Sequence, residues 1–142
     1  LYSPEMGDLL QQLGGKLRYE TIIPAPLREL AIITVGRHFE ADYEWWAHVK
    51  VGKQEGLSDD TIERVMNGQV PVDAAEAIVY RFVSVLQSRN RVDDALYAEA
   101  FELLGQQGVT ELVFLAGYYA TISHILNAFE VGLPSGVDPV FE

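Results

Sequence analysis

The sequence predicts an all-α protein, a compact bundle of six or seven helices joined by short loops. Three observations lead there. Apolar residues recur at helical spacing along most of the chain, and strand-like alternation is nowhere sustained. Cap and stop residues cut the chain into pieces of helical length. The 142 residues are 49% hydrophobic and 22% charged, which suits a single globular domain able to close one core unaided.

Taken in order, residues 1–13 read as a short amphipathic helix or arm ended by Gly14 and Gly15. Residues 19–26 read as extended, because Pro24 and Pro26 push their preceding residues out of the helical region. Pro26 suits the first residue of a helix carrying Leu27, Leu30, Ala31, Ile32, Ile33 and Val35. Asp42 is expected to cap the next helix, which holds Trp45, Trp46 and His48 and stops at Gly56. Ser58 caps a short helix with Asp59 and Asp60 in its first turn, where the helix dipole favours acids. Asp73 and Glu76 have the spacing of a capping box for a helix reaching about Ser88. Asp93 or Asp94 starts another helix, closed by the stretch from Gly105 to Gly108. Thr110 is expected to cap the last one, which runs to about Val131.

Leu112 to Phe129 is 18 residues long without a charged side chain, the length at which a membrane span must be weighed. No Lys or Arg flanks it, and it holds His124, Asn127 and several hydroxyls. A helix buried on all sides in a bundle, or at a subunit contact, is the expectation.

Charge narrows the partners. The first 91 residues carry 10 basic and 13 acidic side chains, and the last 51 carry none and 8, for a net charge of −11. An acidic solvated surface is the plain reading, and a nucleic-acid partner is excluded for want of clustered cations. An anionic small molecule would have to meet its counter-charge in the first two thirds. There is no cysteine, which removes disulfides, thiolate metal sites and thiol nucleophiles together. Phosphate-loop, dinucleotide, serine-elbow and His-Glu-x-x-His patterns are also missing.

What remains is a polar cluster on two consecutive apolar helices: Arg28, Glu29, Arg37, His38, Glu40, Asp42, Tyr43, Glu44 and His48. Glu44 and His48 are one turn apart and share a helix face, beside Trp45, Trp46 and Val49. Glu29 stands among Leu30, Ile32 and Ile33, where a carboxylate is costly to bury unless paired. Two readings stay open. One is a structural knot, Glu29 with Arg37 or His48 and Glu44 with His48. The other is a proton-relay site, in which a desolvated carboxyl with a raised pKa works with His48. His38, Glu40, Asp42, Glu44 and His48 are metal-ligand types, but their run spreads around a helix start, so no metal is expected. His124 is expected as a satisfied core or interface histidine. Tyr118 and Tyr119 are expected to pack with a polar tip, or to line a pocket against the Glu44 and His48 face.

Three stretches carry a resemblance: Arg28-Glu29-Leu30-Ala31-Ile32, Tyr43-Glu44-Trp45-x-x-His48, and Gly56-Leu57-Ser58-x-x-x-Ile62. With Leu112-Val113-Phe114-x-x-Gly117-Tyr118-Tyr119 and Leu126-Asn127-Ala128-Phe129, the chain resembles the carboxymuconolactone decarboxylase family over roughly residues 20–135. That resemblance implies the all-α alkylhydroperoxidase D-like fold in one domain, 1–142, and a homo-oligomer, commonly a trimer or hexamer. The redox branch of that superfamily uses a Glu, two Cys and a His. Mapped by resemblance, the Glu is Glu29 and the His is His48, while the Cys positions fall on Ala41 and Glu44. A dithiol mechanism therefore has no thiols here. The decarboxylase branch lacks those Cys and keeps an Arg-Glu and a Glu-x-x-x-His, which Arg28, Glu29, Glu44 and His48 match.

The resemblance thus implies a cofactor-independent acid/base enzyme for a small carboxylated lactone or enol-forming acid. Glu29 and Glu44 would share a proton that His48 delivers. Arg28 or Arg37 would hold the substrate carboxylate. Trp45 and Trp46 would exclude water, with Tyr43, Tyr118 and Tyr119 as further binding residues. An isomerase or carbon–carbon lyase using the same groups, and a catalytically silent oligomeric binding protein, are the alternatives. A small-molecule partner, no membrane and a cytoplasmic location complete the expectation.

Overall fold

The computed structural model describes residues 3–141. Among them are six helices and no strand: α1 (Pro4–Tyr19), α2 (Ala25–His38), α3 (Asp42–Glu55), α4 (Asp59–Met66), α5 (Ala74–Arg89) and α6 (Asp94–Ala128). The centre is α2. Leu30, Ile32, Ile33 and Val35 are fully enclosed by α3, α5 and α6. Phe82 and Val83 of α5 and Leu112 and Leu115 of α6 complete that core. Each such side chain contributes about 1.5–3 kcal/mol relative to exposure.

Capping follows local chemistry. Ser58 Oγ accepts the Thr61 N–H at 3.0 Å, and Asp93 Oδ1 accepts the Leu96 N–H at 2.9 Å. Asp73 Oδ1 accepts the Glu76 N–H at 3.0 Å. Glu76 does not reach back to close a box; its Oε2 instead accepts the Thr61 hydroxyl at 2.7 Å and ties α4 to α5.

Four expectations are corrected. First, α1 does not end at Gly14 and Gly15 but runs through them to Tyr19. Gly14 is buried against α6, where a Cβ would overlap the Tyr118 hydroxyl, so tertiary packing overrides the local cost of glycine in a helix. Second, Asp42 is the first residue of α3, and Ala41 occupies the cap position. The Asp42 Oδ1 accepts the backbone N–H groups of Val140 and Phe141 at 2.7 and 3.0 Å, so it binds the C-terminal tail.

Third, Thr110 caps nothing. Its hydroxyl donates to Gln106 O at 2.8 Å within a continuing helix. The break between the two expected helices is at Gly105 (φ 69°, ψ 177°), so the chain has six helices, or seven if α6 is divided there. Fourth, the uncharged stretch is not buried on all sides of the protomer. Leu112, Leu115, Ala116, Tyr119 and Ser123 face inward, while Val113, Phe114, Ile125 and Phe129 stay exposed. By length and composition α6 is long and apolar enough to cross a membrane, but its inward face is part of the globular core.

Candidate functional site

The site begins with a carboxylate where apolar side chains belong. Glu29 sits in the second turn of α2 with no exposed surface. Its neighbour α3 approaches closely at Gly52, where a Cβ would lie 3.5 Å from Glu29 Cβ. That approach brings His48 onto the carboxylate: His48 Nδ1 is 2.7 Å from Glu29 Oε2. Arg28 Nε reaches the other oxygen, Oε1, at 3.4 Å. Glu29 is therefore buried but partnered at both oxygens, which offsets its desolvation.

One turn earlier on α3, Glu44 is also buried. Its Oε2 lies 3.3 Å from His48 Nε2, yet out of line for a hydrogen bond, and that oxygen has no other partner. Burial pushes the Glu44 carboxyl above its ordinary range; His48 and Arg18 pull the other way without cancelling it. His48 thus stands between two buried carboxylates, one on each ring nitrogen. With the Nδ1 proton donated to Glu29, Nε2 faces a carboxyl that desolvation favours in its protonated form.

Glu44 and His48 open onto a cavity of about 410 Å³ between α1, α3 and α6. Gln11, Gly14, Gly15, Arg18 and Tyr19 of α1 form one wall, and Tyr118, Tyr119 and Ile122 of α6 another. The Tyr119 ring stands edge-on to His48 with centroids 5.1 Å apart, and Tyr118 edge-on to Tyr119 at 5.0 Å. Burial, with Glu44 nearby, raises both phenols, Tyr119 the further, so both keep their protons and present O–H donors.

The structure brings Glu29, Glu44, His48, Tyr118 and Tyr119 together, with Arg28 behind Glu29 and off the cavity wall. The other expected binding residues lie elsewhere. Arg37 Nε donates to Met66 O at 2.9 Å, fastening the end of α4. Trp45 is buried edge-on to Phe141, and half-buried Trp46 packs near the exposed Tyr43 at 5.6 Å. Trp45 and Trp46 line a separate hollow of about 190 Å³ with Leu133, Val137 and Val140, so they hold the tail. His124 is exposed and edge-on to Phe39, outside the core. Glu40, His38 and Asp42 do not converge with Glu44 and His48, and among the described residues no group of three or more His, Asp or Glu side chains is arranged to hold a metal ion.

Sequence reasoning missed the α1 wall. Gln11, Gly14, Gly15 and Arg18 are spaced as one helix face, a signal that appears only once the helix is drawn through its glycines.

The model of the carboxymuconolactone decarboxylase family matches residues 4–87, from the start of α1 to near the end of α5. The chain belongs to the carboxymuconolactone decarboxylase family. The matched stretch carries Glu29, Glu44 and His48; the tyrosines of α6 lie beyond it. The crystal structure of a protein of unknown function from Agrobacterium tumefaciens, described as a candidate antioxidant defence protein AhpD, superposes with a TM-score of 0.78. The two are 15% identical, with 96% of this chain and 94% of that one covered, so the shared property is the AhpD-like fold. No curated protein matches the chain.

Proposed function

We propose that this carboxymuconolactone decarboxylase family member is a cofactor-independent acid/base enzyme for a small carboxylated lactone or enol-forming acid. The observation that carries the reading is His48 held between Glu29 and Glu44, with Glu44 and His48 on a cavity wall. Glu29 fixes the ring and its tautomer through Nδ1. Burial favours a protonated Glu44 carboxyl 3.3 Å from Nε2, a proton source on the cavity wall. In a decarboxylation the bond to the departing carboxylate breaks and its electron pair enters a conjugated enolate. The Glu44–His48 proton goes to carbon, CO₂ leaves, and solvent restores the proton. Tyr118 and Tyr119 offer O–H donors for the enolate oxygen.

Isomerisation would use the same groups, the proton being removed at one carbon and returned at another. A peroxidase role, suggested by the name of the A. tumefaciens protein, lacks its chemistry here if it depends on a dithiol, since the sequence holds no cysteine. The catalytically silent reading also finds support, because Arg28, Glu29 and His48 form a paired structural knot. Glu44→Gln and His48→Gln separate the two, assayed for turnover of carboxylated lactones and for melting. The enzyme reading expects folded variants with turnover lost by about 10²-fold or more. Destabilised variants together with an inert wild type would leave only the knot.

We further propose that copies of the chain assemble through the apolar residues left exposed on α1 and α6, among them Met6, Leu9, Val113 and Phe114.

A further inference from the structure

The cavity holds one cation that has no salt-bridge or hydrogen-bond partner among the described residues. Arg18, in the last turn of α1, lines the cavity with Glu44 and His48. Its Nε is buried and has no hydrogen-bond partner among the described residues. Four other arginines are engaged: Arg28 with Glu29, Arg37 with Met66 O, Arg64 with Asp60 and Arg81 with Glu99. The Arg18 guanidinium carbon lies 5.2 Å from the Tyr19 ring, and its charge also acts on Glu44 without forming a salt bridge. A buried donor without a partner is costly, and guanidinium is built for paired contacts to a carboxylate.

We propose that Arg18 is the residue that binds the substrate's anionic group, one that the reaction leaves in place. This rests on the reading of the cavity as the substrate site. It gives Arg18 the role that the sequence assigned to Arg28 or Arg37, both of which are occupied elsewhere. The retained group follows from energetics. A salt bridge to the departing carboxylate would stabilise the ground state and oppose loss of CO₂, whereas a bridge to a bystander carboxylate acts equally before and during reaction. Gly15, with open space where a Cβ would stand, leaves room on the α1 wall one turn from Arg18.

The test is a pair of near-isosteric probes, sorbate and its uncharged amide, titrated calorimetrically into wild type, Arg18→Gln and Arg18→Lys. Wild type is expected to bind sorbate at least about tenfold tighter than the amide. Arg18→Gln should erase that preference, and Arg18→Lys should keep part of it. Equal binding of acid and amide to wild type overturns the proposal, as does failure of sorbate to bind in the millimolar range. An unchanged preference in Arg18→Gln, with a fall in assembly mass, also overturns it, because Arg18 then serves a neighbouring copy. If Arg18→Gln does not fold, the wild-type preference and the Arg18→Lys variant still decide. Binding is read without turnover, so the two readings fail separately. An acid preference that depends on Arg18, in a protein that turns nothing over, sinks the acid/base enzyme alone. Turnover that depends on His48, with no acid preference, sinks the role of Arg18 alone.

Discussion

Glu44 is a carboxyl whose protonated form the fold prefers, and this has a signed consequence for stability. Its folded pKa lies above the unfolded value near 4.5, so the folded state binds the extra proton between the two. The stability linked to that proton is complete below the unfolded pKa and is lost as pH rises through the folded one. Glu44→Gln, which cannot ionise, should therefore gain melting temperature relative to wild type as pH rises from 4.5 toward neutrality. Thermal melts of both proteins across that range check it; a constant difference would show that Glu44 does not titrate as its burial requires. Glu29→Gln should act differently, because it removes the charge that His48 Nδ1 and Arg28 contact. A loss of about 2 kcal/mol in denaturant unfolding is expected. The Glu29, Glu44 and His48 cluster was legible in the sequence because an acid on an apolar helix and an i, i+4 Glu/His pair are local signals. Arg18 was not, since its meaning depends on which helix α1 packs against. Arg37 and Trp45 misled for the same reason: their partners, Met66 O and Phe141, lie far away in sequence.

At the scale of elements, Gly105 gives α6 its bend. Its φ of 69° with ψ of 177° is a conformation that side-chain-bearing residues strongly avoid. No atom would obstruct a Cβ there, so Gly105→Ala isolates backbone strain. It should cost about 1–3 kcal/mol, measured by denaturant unfolding. Gly14→Ala tests packing instead. The new Cβ would press on the Tyr118 hydroxyl, shifting α1 or displacing a ring of the cavity wall. It should weaken sorbate binding more than it lowers stability, an ordering that calorimetry and melting can compare. Caps at Ser58, Asp73 and Asp93 were readable because a cap needs only its own next three residues. The end of α1 and the supposed cap at Thr110 were not readable. Glycine pairs stop helices only when nothing across the gap rewards continuing, and here Tyr118 does.

For the whole molecule, the protomer exposes 8360 Å², against roughly 7300 Å² for a monomeric protein of its mass. The surplus and the exposed Met6, Leu9, Val113 and Phe114 are what a subunit needs if neighbours complete its surface. Light scattering should give a mass that is a multiple of 15.8 kDa, and Phe114→Glu should reduce it toward one copy. A monomeric wild type would rule assembly out. The all-α class was legible because apolar periodicity reports it everywhere. The half-exposed face of α6 was not, because lack of charge does not say which neighbour supplies the burial. The Glu29–His48 contact carries one more consequence, in the order of folding. A carboxylate with no exposed surface is costly to strip of water before its partners are in place, so docking of α2 on α3 is expected early in folding. Replacing Glu29 should then slow refolding more than it speeds unfolding, making the site's innermost bond an early event in the life of every copy.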